Sequence, residues 1–279
     1  MAINWYPGHM VKARREIEEN IKLVDVVTML LDARAPFSCR NHDLEKIAGR
    51  KKVVFVLTKM DLADPDSSRE YVKQLRAEGH LVALIDSTSG KGSREVIQLI
   101  KTAFKEEEER LIARGRRTRA ARVMVVGVPN IGKSTFLNCM VGKKMAQTGA
   151  KPGVTRGKQW VRVREDIEFM DTPGLMWPKV EVEEQGRRLA LLDIVGENAY
   201  SDEEVALYLL KNLQEKHVDI LQNKFKLTPT SEQTPLELLE EIAKKRGHLL
   251  KGGKLDLDKT CKNLLQDFRK GHLGQISLD

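Results

Sequence analysis

Residues 123–135 read Val123-Met-Val-Val-Gly127-Val-Pro-Asn-Ile-Gly132-Lys133-Ser134-Thr135. Gly127 to Ser134 fits G-x4-G-K-[ST]. An apolar, β-branched run leads into it and a helix-forming run, Ser134-Thr-Phe-Leu-Asn-Cys-Met-Val141, leads out, which is the context that motif requires. Its glycines let backbone N–H groups turn inward around phosphates, and the helix start adds a partial positive charge. Lys133 would reach the β and γ oxygens, and Ser134 would give an oxygen to Mg²⁺. Pro129, Asn130, Ile131, Gly132, Lys133, Ser134 and Thr135 are therefore candidate contacts to a nucleoside triphosphate, with Lys133 also a candidate catalytic group.

The remaining strand ends say which base. Thr58-Lys59-Met60-Asp61 follows Val53-Val-Phe-Val-Leu57. A carboxylate at Asp61 would accept from guanine N1–H and the 2-amino group together, which adenine cannot match. By itself T-K-x-D also fits an ordinary strand-end turn. Three further stretches give it company. Ser87-Thr88-Ser89-Gly90 ends another strand, where a backbone N–H would meet guanine O6. Asp171-Thr172-Pro173-Gly174 ends Ile167-Glu-Phe-Met; there Asp171 would hold Mg²⁺ through water and the Gly174 N–H would sense the γ-phosphate. Between them Lys151-Pro-Gly-Val-Thr155 offers Thr155 as a second Mg²⁺ ligand that closes only on a triphosphate.

Strand patterns at 25–31, 53–58, 81–85, 123–127, 160–163 and 167–170 alternate with helical ones at 10–23, 66–78, 94–112 and 134–142, predicting an α/β domain with a mainly parallel sheet. After about residue 180 only helical patterns remain, at 183–195, 202–212, 214–224, 235–246 and 258–268. The expected division is 1–180, the nucleotide domain, and 181–279, a small all-α domain.

These motifs resemble those of the translation-factor-related GTPases in rotated order. The guanine-reading pair comes first and the phosphate-reading set follows, which is the pattern of circularly permuted GTPases. Within that group Trp5-Tyr-Pro-Gly-His9-Met10, Asp32-Ala-Arg-Ala-Pro36, the phosphate loop and Asp171-Thr-Pro-Gly-Leu-Met-Trp-Pro178 together resemble the ribosome biogenesis GTPase A family. The resemblance covers essentially the whole chain. It implies GTP hydrolysis with Mg²⁺, a large ribosomal subunit precursor (rRNA and ribosomal proteins) as partner, binding in the GTP state, release after hydrolysis, and a monomer off the ribosome. It also implies a switch loop that runs directly into the helical domain. One departure is Thr58, where the family usually has an Asn that braces the loop against the phosphate loop. Asn130 has two readings: an oxygen ligand for K⁺, as in related GTPases, or a residue that tolerates the loop's dihedrals.

Many GTPases carry a glutamine directly after D-x-x-G to orient the attacking water. Here that position is Leu175, which offers no hydrogen bond. His9, whose imidazole is largely neutral near pH 7, is the candidate replacement: Pro7-Gly8 would aim it, and the resemblance places a catalytic histidine there. The competing reading makes 5–9 a packed lead-in to the first helix.

No apolar run approaches the ~18 residues of a membrane span, no export signal is evident, and three widely spaced cysteines suit a reducing compartment, so the expected location is cytoplasmic, with no membrane partner. Net charge is +8; residues 186–279 balance 15 Lys+Arg against 15 Asp+Glu, so the excess lies in the first 185. Such an excess reads as a polyanionic partner or as solubility charge. Three stretches are candidate phosphate-backbone contacts: Lys12/Arg14/Arg15, Arg114/Arg116/Arg117/Arg119/Arg122, and Lys244/Lys245/Arg246 with Lys251 and Lys254. Readings that remain open are a GTPase acting on another RNA–protein assembly, a non-catalytic RNA-binding protein stabilised by GTP, and, least favoured, an ATP-driven enzyme.

Overall fold

Every residue of Val26–Asp32 is buried, as a strand in the middle of a sheet covered on both faces must be. The computed structural model describes residues 8–142, 160–176, 182–195, 200–230 and 232–279. These fall into two compact units, 8–176 with Asp279 and 182–278.

In the first unit the order is α1 (Gly8–Asn20), a 3-10 turn (Ile21–Leu23), β1 (Val26–Asp32), α2 (Pro36–Cys39), α3 (His42–Ala48), β2 (Lys52–Thr58), α4 (Pro65–Ala77), β3 (Leu81–Leu84), α5 (Ser93–Ala113), β4 (Ala121–Val126), α6 (Lys133–Val141), β5 (Trp160–Arg164) and β6 (Ile167–Asp171). The sheet runs β3-β2-β1-β4-β6-β5. Its first five members are parallel, and β5 pairs with β6 antiparallel. Val/Ile/Leu-rich strands buried on both faces are what a parallel sheet needs; Val54 to Leu57 and Val123 to Val126 are all buried. Helix α4 starts on the Asp64 side chain, which accepts from Ser67 N–H at 2.6 Å, with Pro65 in its first turn, as the capping preferences dictate.

The parallel strands share one direction, so their carboxyl ends share one edge. Neighbouring β1 and β4 are far apart in sequence, and on either side of them the chain order runs outward in opposite directions. That is the topological switch point, where open α/β sheets leave a crevice for ligands. The chain therefore delivers the ends of β1, β2, β3, β4 and β6 to one rim, although the motifs there come in rotated order.

In the second unit the elements are α7 (Glu183–Leu191), α8 (Asp202–Lys216), α9 (Val218–Phe225), α10 (Pro235–Arg246) and α11 (Leu257–Arg269). Helix α8 packs against the other four, burying Val205, Ala206, Leu209, Leu210 and Leu213. A capping box between Thr234 and Glu237 starts α10, and Gly247 at φ +64° ends it, as expected for an S/T-x-x-E entry and a left-handed exit. Between α10 and α11, Leu249 and Leu255 form an isolated antiparallel bridge, and buried His248 bonds Thr260 Oγ1 through Nδ1 at 2.9 Å.

Four features differ from the sequence reading. Residues 36–48 hold two short helices not expected there. The first helix of the second unit stops at Leu191 rather than 195, and the next runs to Lys216 before a break at His217. Gly8 and His9 already belong to α1.

Candidate functional site

At the end of β4, the chain turns through Val128–Ile131 into α6. Asn130 has φ +55° and Gly132, immediately before the helix, φ +101°. Asn enters the left-handed region more readily than other non-glycine residues, a conformation that both readings of Asn130 accommodate. Ser134 and Thr135 are exposed in the first turn of α6 and Ile131 is buried beneath the loop. Lys133 Nζ folds onto the loop, donating to Val128 O at 3.0 Å and lying 3.4 Å from Gly127 O. Burial pulls its ammonium down to about 8, against the opposing attraction of Asp171.

Asp171 ends β6. Burial raises its carboxyl above the usual range, with the Lys133 charge and the Thr172 N–H working the other way. Its Oδ1 is buried without a hydrogen-bond partner among the described residues. An orphaned carboxylate oxygen and an exposed hydroxyl beside a phosphate loop are hard oxygen donors, the set Mg²⁺ takes with phosphates and water. The residues present fit that ion. Thr172 Oγ1 donates to Val125 O at 2.6 Å, fastening the strand end to β4. Gly174 then passes so close to the phosphate loop that a Cβ there would stand 2.8 Å from Pro129 Cα and 3.0 Å from Lys133 Nζ. Leu175 N–H donates to Gly127 O at 3.1 Å, and the Leu175 side chain is 1% exposed. It is part of the core.

On the other side of the crevice, Thr58 Oγ1 lies 3.0 Å from Leu31 O and 3.3 Å from Ile131 O. The short threonine hydroxyl thus reaches the phosphate loop. Lys59 stands at φ +56°, and its Nζ is 3.0 Å from Asp32 Oδ2. Asp32, fully buried, also takes a two-pronged bond from Arg34, at 2.9 and 2.8 Å. Burial opposes its ionisation, yet Arg34 and Lys59 together hold the carboxyl well below the usual range. Asp61 is exposed; burial of part of the group raises its carboxyl, and the negative charge of Asp86 adds to this.

The Ser87–Gly90 turn is organised by Asp86, which sequence reasoning passed over. Its Oδ1 accepts from Thr88 N–H at 2.8 Å and Ser89 N–H at 3.3 Å, and Ser89 Oγ donates to Oδ2. Thr88 N–H is thus already engaged within the turn, while Ser87 Oγ is buried with no partner among the described residues. An Asx turn before S-T-S-G was the available signal. Gly92, at φ +92°, is forced because a Cβ there would collide with Leu84 O.

One rim thus assembles Thr58, Lys59, Asp61, Ser87, Thr88, the 129–135 loop, Asp171 and Gly174. Thr155 lies outside the described residues, as does the side chain of His9, whose backbone sits in the first turn of α1. The basic stretches are only partly free. Arg14 pairs with Glu18 at 2.9 Å. Arg119 pairs with Asp25 at 2.7 Å, Arg122 stacks on Trp160, and Arg246 pairs with Asp267 at 2.6 Å. Arg114, Arg116, Arg117, Lys244, Lys251 and Lys254 are exposed. No helix among the described residues is long and apolar enough to cross a membrane.

Residues 122–245 match the family described as 50S ribosome-binding GTPase. Ribosome biogenesis GTPase A of Bacillus pumilus is 39% identical over 279 residues, covering all of this chain and 99% of the relative. That of Thermotoga maritima is 30% identical over 277 residues, covering 99% and 94%. Among solved structures, GNP-bound YlqF from T. maritima superposes with a TM-score of 0.65 at 25% identity, covering 96% of this chain and 97% of that one. The GDP-bound form gives 0.68 at 24% identity, a likeness of fold. Similarity to these relatives extends through the helical unit, not the nucleotide unit alone, and the chain accordingly belongs to the ribosome biogenesis GTPase A family and is a GTP hydrolase.

Proposed function

We propose that this GTPase promotes late maturation of the large ribosomal subunit, binding the precursor particle with GTP in place and leaving after hydrolysis. The observation that carries the proposal is the gathering of base-reading and phosphate-reading groups on the rim between β1 and β4; the matched family description, 50S ribosome-binding GTPase, supports the target. Asp61 reads the guanine edge, and the phosphate loop with Lys133 holds the β and γ phosphates. Ser134, Asp171 through water, and Thr155 hold Mg²⁺, which when bound neutralises charge on the β and γ oxygens. Gly174 meets the γ-phosphate through its N–H. The exposed lysines of the α10–α11 turn, Lys251 and Lys254, meet rRNA phosphates without reading sequence.

Leu175 is apolar and turned into the core, so it orients no water; of a group in this chain, a group lent by the ribosomal particle, or very slow hydrolysis, we favour the first and assign the role to His9. GTP hydrolysis measured with and without purified large subunits, for the wild type and His9→Ala, tests both claims. Large subunits are expected to accelerate phosphate release by the wild type. His9→Ala is expected to lose most of that turnover while binding GTP and GDP as before. An indifferent response to the particle would overturn the ribosomal reading, and an unaffected rate in the variant would remove His9 from the reaction.

A further inference from the structure

Asn41 joins α2 to α3, is 2% exposed, and uses both ends of its side-chain amide. Its Oδ1 accepts from Asp43 N–H at 3.0 Å and Leu44 N–H at 3.4 Å, the cap of α3. Its Nδ2 donates to Leu175 O at 3.0 Å, a residue 134 positions away. Capping alone requires only the acceptor, and Ser, Thr or Asp would cap as well. Among the described residues the donor half goes to the segment just past Gly174.

The Leu175 backbone is thereby held from both sides. Its N–H is tied to Gly127 O, the first residue of the phosphate loop, and its carbonyl to Asn41. The Leu175 side chain is buried. One residue upstream, Gly174 rests against Pro129 and the Lys133 ammonium, where a γ-phosphate held by Lys133 would come within reach of its N–H.

We propose that Asn41 is a positioning residue for the response to the γ-phosphate: by clamping Leu175 O it fixes where the Gly174 N–H is presented, and ties that segment to α3. This rests on the reading of Gly174 as the γ-phosphate contact. A chain that loses only the clamp keeps its grip on GDP and holds a triphosphate less well, because the freed segment must be ordered each time a γ-phosphate is met.

The test compares affinities of the full chain for a non-hydrolysable GTP analogue and for GDP in four variants. Asn41→Ser keeps the cap and is too short to reach Leu175 O; the analogue is expected to bind about fivefold more weakly, the worth of one buried hydrogen bond, with GDP within twofold of wild type. Asn41→Asp caps and places an acceptor opposite the Leu175 carbonyl, so it is expected to lower the ratio at least as far, and it serves if the serine variant fails to fold. Gly49→Ala strains the end of α3, where φ is +57°, without touching Leu175. It is expected to lower the melting temperature and leave the ratio alone. Gly174→Ala is expected to lower the ratio by itself. An unchanged ratio in both Asn41 variants beside a lowered one in Gly174→Ala reduces Asn41 to a helix cap. An equal loss in Gly49→Ala assigns the effect to α3 stability and overturns the clamp. An unchanged ratio in Gly174→Ala removes the reading on which the clamp rests, and the clamp with it.

Discussion

The Thr58 hydroxyl lies 3.3 Å from the carbonyl of Ile131, linking the strand end proposed to read the base to the phosphate loop. The same hydroxyl is 3.0 Å from Leu31 O; a single proton serves one acceptor at a time, so the link is one buried hydrogen bond shared between two carbonyls. Thr58→Val keeps the shape and removes the proton. That one shared hydrogen bond is then lost, at a cost of about 1–1.5 kcal/mol. GTP and GDP are expected to weaken together by up to about tenfold, with a lower melting temperature, and Thr58→Ser to restore both. Nucleotide titration and thermal unfolding of the three proteins check this.

Asp61 faces the nucleotide rim with a carboxyl raised first by partial burial and then by Asp86. In the proposed site guanine would give it two N–H donors, and the bound form would gain charge-assisted hydrogen bonds worth about 1.5–3 kcal/mol each. Asp61→Asn replaces one acceptor by a donor that meets guanine's donors head on. The amide instead suits xanthine, which carries an oxygen where guanine has its amino group. GTP affinity is expected to fall by about a hundredfold and xanthosine triphosphate to become the better ligand, as read by competition binding; unchanged preference would remove Asp61 from base recognition.

The phosphate loop, the strand ends around it and the five C-terminal helices were legible because each is written locally: a glycine pair at fixed spacing, β-branched runs of strand length, Thr234-Pro-Leu-Glu237 opening a helix. What escaped depends on partners distant in sequence. The 36–48 segment is two helices of four and seven residues, too short to show a periodicity, although Asn41 before Asp43 and Glu45 and Gly49 behind them are start and stop signals. The Asn41 bond to Leu175 and the Lys59–Asp32 pair follow from the sheet bringing β1 beside β2 on one side and β4, with β6 next to it, on the other. Pattern along the chain carries no trace of such pairings. Leu175 itself was legible as a missing hydrogen-bonding group, whereas its burial in the core was not.

Lys133 offers a pH dependence with a definite sign. In the free chain burial brings its ammonium down to about 8, and the phosphates of a bound nucleotide favour the charged form, returning it toward the ordinary value of about 10.4. Below pH 8 both states hold the proton and affinity is level. Above it the free chain has lost a proton that binding must recover, so affinity falls as pH rises, by about fivefold between pH 8 and 9. Calorimetric titration with GDP in two buffers of different ionisation enthalpy is expected to show proton uptake at pH 9 and almost none at pH 7. Equal proton release at both would contradict the assignment.

Gly186 is in the middle of α7, where alanine would ordinarily favour the helix by about 1 kcal/mol. Here a Cβ would overlap the Tyr200 hydroxyl and approach the ring carbon bearing it to 3.0 Å. Two effects of opposite sign compete, and overpacking, typically about 1–3 kcal/mol, wins as long as Tyr200 keeps its place. Gly186→Ala is therefore expected to destabilise the chain in chemical denaturation by about 1–2 kcal/mol. Tyr200→Phe removes the overlapping oxygen and leaves the ring, so adding Gly186→Ala to it is expected to cost much less than in the wild type. A double-mutant cycle reads the difference directly. If the two changes prove additive, the tyrosine hydroxyl is not what keeps position 186 a glycine.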